Sequence, residues 1–232
     1  MKTLILFDID GTLVLTGGAG GRAMTLAFED LFSIPDAFRG IQMPGRTDAG
    51  ILFDAAALHG IPADSPALAR FPGVCLRHLA RELREPSPRT LVMPGVTALL
   101  DALAADDDAY LALLTGNYEA NAQLKLEYFD LWRYFRSGAF GDGEVDRNGL
   151  VPKALARVAG EGGPVFSPGE AVVIGDTPLD VACAAACGAR SIAVATGPYS
   201  VDDLRAAGAD AVFRDLIDTA AVLLALAERK AL

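Results

Sequence analysis

The sequence predicts an α/β fold, a doubly wound parallel sheet with an α-helical insert after its first strand. Three observations carry that expectation. The chain opens on an apolar run, Leu4-Ile5-Leu6-Phe7, which stops at Asp8-Ile9-Asp10-Gly11-Thr12. From about residue 22 to residue 84 apolar residues recur at helical spacing, without useful strand-like alternation. After residue 89, short apolar runs alternate with amphipathic stretches, the pattern of a parallel sheet covered on both faces.

Residues 2–9 read as a buried strand. Gly17-Gly18-Ala19-Gly20-Gly21 follows and reads as a flexible hinge. Gly18, Gly20 and Ala23 also match a dinucleotide fingerprint. That fingerprint needs its glycines in the turn leaving the strand, and Asp8 to Thr12 occupy that turn. Helices are expected around Met24, Ala27, Phe28 and Leu31, then around Ile51, Leu52, Ala55 and Leu58. A third, with Leu76, Leu79 and Leu83, is expected after a break at Pro72-Gly73. Pro86-Ser87-Pro88 makes a stiff linker, so residues 15–89 form the insert, and 1–14 with 90–232 form the core.

In the second part, a helix carries Val96, Leu99, Leu100 and Leu103 on one face. A strand from Ala109 to Leu114 ends at Thr115-Gly116-Asn117, and a helix with Ala120, Leu124, Tyr128 and Leu131 on one side comes next. Further strands are expected at 135–140, 171–174, 191–195 and 211–213, with helices at 150–158, 178–186 and 216–228.

The 232 residues suffice for one large domain or a domain with a sizeable insert, and 52% are apolar, so a buried core is expected. The net charge of −10, from 20 basic and 30 acidic residues without a basic run, argues against nucleic-acid and membrane-surface partners. No secretory leader or membrane-spanning run is legible. Cys75, Cys183 and Cys187 read as small buried apolar residues, which fits a reducing cytoplasm. The sequence does not decide between a monomer and a homodimer.

Three strands end in polar signatures: Asp8-x-Asp10, Thr115-Gly116-Asn117 and Gly175-Asp176. In a doubly wound sheet such ends meet at one edge, where ligands bind. Asp8 and Asp10 are one residue apart and point to one side of an extended chain. The Thr115 hydroxyl and the backbone N–H groups of Gly116 and Asn117, at a helix start, suit a phosphate oxygen. Equally, Asn117 reads as a helix cap. Thr177-Pro178-Leu179-Asp180 has the form of a capping box.

Asp8-Ile9-Asp10-Gly11-Thr12 resembles motif one, D-x-D-G-T, of the haloacid dehalogenase-like hydrolases. Leu113-Leu114-Thr115-Gly116-Asn117 resembles motif two, and Val172-Val173-Ile174-Gly175-Asp176-Thr177-Pro178-Leu179-Asp180 resembles motif four. The resemblance covers the whole chain. It implies a Rossmann-like core with a helical cap of the class seen in phosphoglycolate-phosphatase-like and β-phosphoglucomutase-like members. It also implies a Mg2+-dependent phosphatase of a small phosphorylated metabolite. Asp8 would be the nucleophile, Asp10 the acid and base, and Gly11, Thr12, Thr115, Gly116 and Asn117 would contact phosphate. Magnesium would be held by Asp8, Asp176 and the backbone carbonyl of Asp10, with Asp180 as cap and support from outside the ligand set.

An acid at position 10 argues against dehalogenation. A phosphosugar mutase on the same scaffold and a dinucleotide-binding module are the alternatives. Gly45-Arg46-Thr47-Asp48 resembles a cap loop that faces the active site, so Arg46 is a candidate for a substrate anion beside the plainer reading of a solvated side chain. The family's motif three supplies a basic residue, usually lysine before proline; here Pro152 precedes Lys153. Lys153 falls inside a helical pattern, whereas Arg147 lies just before that helix, nearer the sheet edge, and is favoured.

Overall fold

In the computed structural model, which describes residues 2–85 and 87–228, the opening apolar run forms β1 (Thr3–Phe7). A three-residue strand β2 (Val14–Thr16) leads into three helices, α1 (Ala19–Phe32), α2 (Asp48–Leu58) and α3 (Pro66–Glu82). The chain returns through β3 (Thr90–Val92) and α4 (Val96–Ala104). Strands and helices then alternate: β4 (Ala109–Leu114), α5 (Glu119–Tyr128), β5 (Ser137–Ala139), α6 (Leu150–Gly160), β6 (Ala171–Gly175), α7 (Pro178–Cys187), β7 (Arg190–Val194), α8 (Val201–Ala206), β8 (Ala211–Phe213) and α9 (Thr219–Ala227).

Six strands form one sheet in the order β5-β4-β1-β6-β7-β8, and every pairing in it is parallel. The chain starts in the middle, runs to one edge through β4 and β5, then crosses to the other side of β1. The reversal of direction therefore falls at β1, where doubly wound sheets hold their ligands. Phe7 pairs with Leu113 and Ile174, so the ends of β1, β4 and β6 lie side by side.

Side-chain alternation explains why helices cover both faces. Ile5 and Phe7 pack with Leu99 and Leu100 of α4, Leu126 of α5 and Val222 of α9. Leu4 and Leu6 pack on the opposite face with Val151 and Ala154 of α6 and Ala184 of α7. Helices α1, α2 and α3 build a separate apolar cluster around Phe28, Phe71 and Leu79.

Several expectations need correction. The helix break at Pro72-Gly73 is absent: α3 runs through Pro72. Phe71, Val74 and Cys75 are buried on either side of it, and that packing outweighs the lost backbone bond. α1 begins at Ala19, so Ala19, Gly20 and Gly21 are helical and the loose turn is confined to Gly17 and Gly18. β2 and β3 pair antiparallel and tie together the two chain segments that enter and leave the helices. The dinucleotide fingerprint lacks its context, because β2 lies outside the six-stranded sheet. α5 buries Asn121, Ala122, Lys125 and Leu126; Ala120 and Tyr128 of the expected stripe are exposed. α8 was not foreseen. The proline linker includes Pro86, which lies outside the described residues. Among those residues no helix is long and apolar enough to cross a membrane.

Candidate active site

Each strand end delivers its polar group to one cavity of about 490 Å³, roofed by the helical insert. Asp8 follows β1 directly and is only 4% exposed. Gly11, at φ 85°, turns the chain beside Asp176; a Cβ there would fall 2.4 Å from Asp176 Oδ2, so glycine is required. Asp176 follows β6 and is buried. The Thr12 hydroxyl donates to Asp176 Oδ1 at 3.2 Å. Thr12 is fully buried and lies outside the cavity lining, with its side chain turned to Asp176. Thr196, unremarked in the sequence, donates to the Gly11 carbonyl at 2.5 Å and ties the end of β7 to the same loop.

The side chains of Asp8, Asp176 and Asp180 can bring one oxygen each within 4.8 Å of one another. Burial first, then opposition between Arg147 and the neighbouring carboxylates, leaves the Asp8 carboxyl raised to about 6. Burial, followed by the charges of Asp8 and Asp180, pushes Asp176 well above the usual carboxylate range. Three buried carboxylates this close together repel one another, and a hard divalent cation with oxygen ligands fits them. Asp180 differs from the other two. Its Oδ2 accepts from the Thr177 N–H and hydroxyl at 3.0 and 2.7 Å, and its Oδ1 accepts from Arg147 at 2.5 Å. Both oxygens thus carry helix-capping and guanidinium bonds, consistent with support rather than direct ligation.

Arg147 occupies a 3-10 turn, Arg147–Gly149, immediately before α6, and is buried. Its Nη2 lies 3.1 Å from Asp8, and its Nη1 donates to the Gly45 carbonyl of the roofing loop at 2.9 Å. Lys153 points elsewhere, to the carbonyls of Phe140 and Asp142 and to Glu144. Pro152 is the third residue of α6, within its first turn, where its missing N–H costs little.

The carboxylate of Asp10 turns away from this group. Its side chain is 43% exposed and is held at 2.6 Å by Lys125 Nζ and at 2.8 Å by Asn117 Nδ2. Lys125 also donates to Asn117 Oδ1 at 2.6 Å. Burial opposes the Lys125 charge, but Asp10 and Asp48 together outweigh it and hold the ammonium above its ordinary value. Asn117 therefore does not cap α5 with its side chain; Asp142 accepts from the Glu119 N–H instead, at 2.7 Å. The Thr115 oxygen accepts from the Asn117 N–H and Nδ2, which leaves its own hydrogen to donate into the cavity it lines.

The loop Gly45-Arg46-Thr47-Asp48 lies against the strand ends. A Cβ on Gly116 would meet the Arg46 carbonyl at 2.0 Å, so only glycine admits this approach. The Asp48 N–H donates to the Gly116 carbonyl at 2.7 Å, and its carboxylate accepts from the Tyr118 N–H at 3.0 Å. Burial is the main reason that Asp48 is raised to about 6. Thr47 caps α2 through Gly50. Arg46 lines the cavity, but its guanidinium is paired with Asp54 at 2.7 Å. Sequence reasoning missed Lys125, Asn121, Asp48 and Thr196 as site residues.

A family model described as haloacid dehalogenase-like hydrolase matches residues 5–185. A phosphoglycolate phosphatase of Rhodospirillum rubrum is 33% identical over 226 residues, covering 93% of this chain and 88% of that protein. A hydrolase from Pseudomonas syringae superposes with a TM-score of 0.71 at 23% identity, over 98% of this chain and 100% of that one. CbbY from Rhodobacter sphaeroides, in complex with xylulose-1,5-bisphosphate, superposes with a TM-score of 0.68 at 20% identity, over 94% and 96% of the two chains.

Proposed function

Because the chain belongs to the haloacid dehalogenase-like hydrolases, an enzyme family with phosphatase relatives, we propose that it hydrolyses a small phosphorylated metabolite through an aspartyl-phosphate on Asp8, with magnesium as cofactor. One observation carries this reading. Two acids one residue apart are held in opposite ways, Asp8 buried against Arg147 and Asp10 half exposed on Lys125.

Asp8 attacks phosphorus, and the ester P–O bond breaks with its electron pair on the leaving alcohol oxygen. Asp10 gives that oxygen a proton. Water then attacks the phosphoryl group, Asp10 takes the proton, and the Asp8–phosphorus bond breaks to restore the carboxylate and release inorganic phosphate. Lys125 and Asn117 position Asp10. Thr115, whose oxygen already accepts from the Asn117 N–H, donates its own hydrogen to a phosphate oxygen. Arg147 offsets the charge of Asp8 and the phosphoryl group. Magnesium, held by Asp8, Asp176 and the Asp10 carbonyl, would supply charge neutralisation between phosphate and nucleophile.

The insert, residues 15–89, acts as a cap over the core of 1–14 and 90–232, hinging at the turn of Gly17 and Gly18. Its loop around Gly45 and Asp48 closes onto Arg147 and Gly116 and excludes water. Magnesium-dependent release of inorganic phosphate from phosphorylated metabolites tests the reading and separates a phosphatase from a mutase. Asp8→Asn is nearly isosteric and a poor nucleophile, so turnover should be lost with the fold intact. Near-wild-type release by that variant would overturn the assignment.

A further inference from the structure

We propose that the substrate is the phosphate monoester of an uncharged, mainly aliphatic alcohol that carries a second hydroxyl, and that Asn121 receives this hydroxyl. The inference rests on the phosphatase reading and narrows it.

Two features of the cavity point this way. The first is charge. The insert contributes Met24, Met43, Ile51 and Leu79 to the cavity lining, an apolar wall. Arg46 is the insert's cation on that lining, and it is committed to Asp54 at 2.7 Å and to the Gln42 carbonyl at 3.3 Å. Lys125 is committed to Asp10 and Asn117, and Arg147 to Asp8 and Asp180. Among the described residues no lining cation is left for a second anionic group, and Asp48 adds a carboxylate to the same wall. A carboxylate or second phosphate on the alcohol would be desolvated without a partner.

The second feature is Asn121, which lines the cavity at 3% exposure. Its Nδ2 donates to Cys75 Sγ at 3.5 Å, and its Oδ1 has no partner among the described residues. A buried amide oxygen without a donor is costly, and a ligand hydroxyl removes that cost. Asn121 stands one helical turn from Lys125 on the same face of α5, and Asn117 lies in the turn that leads into that helix. A hydroxyl bound there lies on the side of the cavity that holds Asp10. The volume suits a phosphate with a chain of a few carbons.

The test compares 2-hydroxyethyl, 3-hydroxypropyl and 4-hydroxybutyl phosphates with the matching alkyl phosphates and with phosphoglycolate. Magnesium-dependent phosphate release provides kcat/KM. Calorimetry on Asp8→Asn with magnesium provides affinities that need no turnover. At one chain length the hydroxyl should raise kcat/KM and affinity by ~10-fold, the scale of one neutral hydrogen bond. Phosphoglycolate should fall ~10²-fold below that ester, for its unpartnered carboxylate. Asn121→Leu should bring the hydroxylated and plain esters within about twofold of each other.

Preference for phosphoglycolate, or no hydroxyl advantage at any chain length, overturns the proposal; both are read on the protein without change at position 121. A hydroxyl advantage that survives Asn121→Leu also overturns it. If no ester is hydrolysed, the phosphatase reading fails, and the calorimetric ranking still decides the ligand class.

Discussion

Replacing Lys125 by methionine removes one ammonium and keeps most of the aliphatic stem. Asp10 then loses its contact at 2.6 Å, and Asn117 Oδ1 loses its donor at the same distance. Breaking a fully buried ion pair costs ~3–5 kcal/mol. Asp10 is 43% exposed, however, and water can replace the ammonium on that side. The buried amide oxygen sets the remaining penalty, ~1–3 kcal/mol. For a chain of this size that lowers Tm by roughly 3–10 °C.

Catalysis suffers through geometry. A freed Asp10 no longer points where the leaving oxygen sits, and a displacement of about 1 Å is worth ~10²-fold. The loss should depend on the leaving group. An alkyl alkoxide needs the proton, whereas p-nitrophenolate departs without one. Because kcat/KM reports the steps through departure of the alcohol, Lys125→Met should lower it ~10²-fold for an alkyl phosphate and less than ~10-fold for p-nitrophenyl phosphate. Equal losses on both esters would refute the claim that Lys125 acts through Asp10.

Asp176→Ala should raise the magnesium concentration for half-maximal phosphate release by on the order of 10-fold or more, and calcium should inhibit; full activity in excess chelator contradicts both. Arg147→Ala should cost on the order of 10²-fold in kcat while Lys153→Ala stays near wild type, as steady-state kinetics of the two variants will show. The reverse pattern would move the motif-three role to Lys153. Asp48 predicts a pH dependence of stability. Its folded value, about 6, lies above the ordinary 3.8, so its contribution is complete below pH 3.8 and is lost as pH rises through 6. Asp48→Asn should therefore gain on wild type between pH 4 and pH 7.5, by roughly 1–3 kcal/mol; a Tm difference that stays constant over that range refutes the assignment.

The sheet was legible because its strands are short apolar runs with sharp polar ends, and the ends that mark β1, β4 and β6 are the groups the cavity collects. That Arg147, and not Lys153, reaches the cavity was legible for a similar reason: Pro152 limits where α6 can start, and a residue ahead of that start faces the sheet edge. Errors arose where a local rule met packing. Pro72 reads as a breaker, but α3 buries Phe71, Val74 and Cys75 around it.

The instructive miss is α5. Its apolar spacing at Leu124 and Tyr128 suggested a core face, but Tyr128 is 52% exposed. Asn121 and Lys125 stand four residues apart on one face of α5, and Asn117, in the turn before that helix, lines the same cavity. Polar residues at that spacing ordinarily mark a solvated surface. Here the face lies under the cap, where each must find a partner. Asn117 and Lys125 find theirs in Asp10, and the Asn121 oxygen has none among the described residues. Periodicity alone cannot distinguish a solvated stripe from a site lined by polar groups. What separates the two is whether a second element covers the stripe, and only the tertiary arrangement of α1 to α3 over the strand ends supplies that.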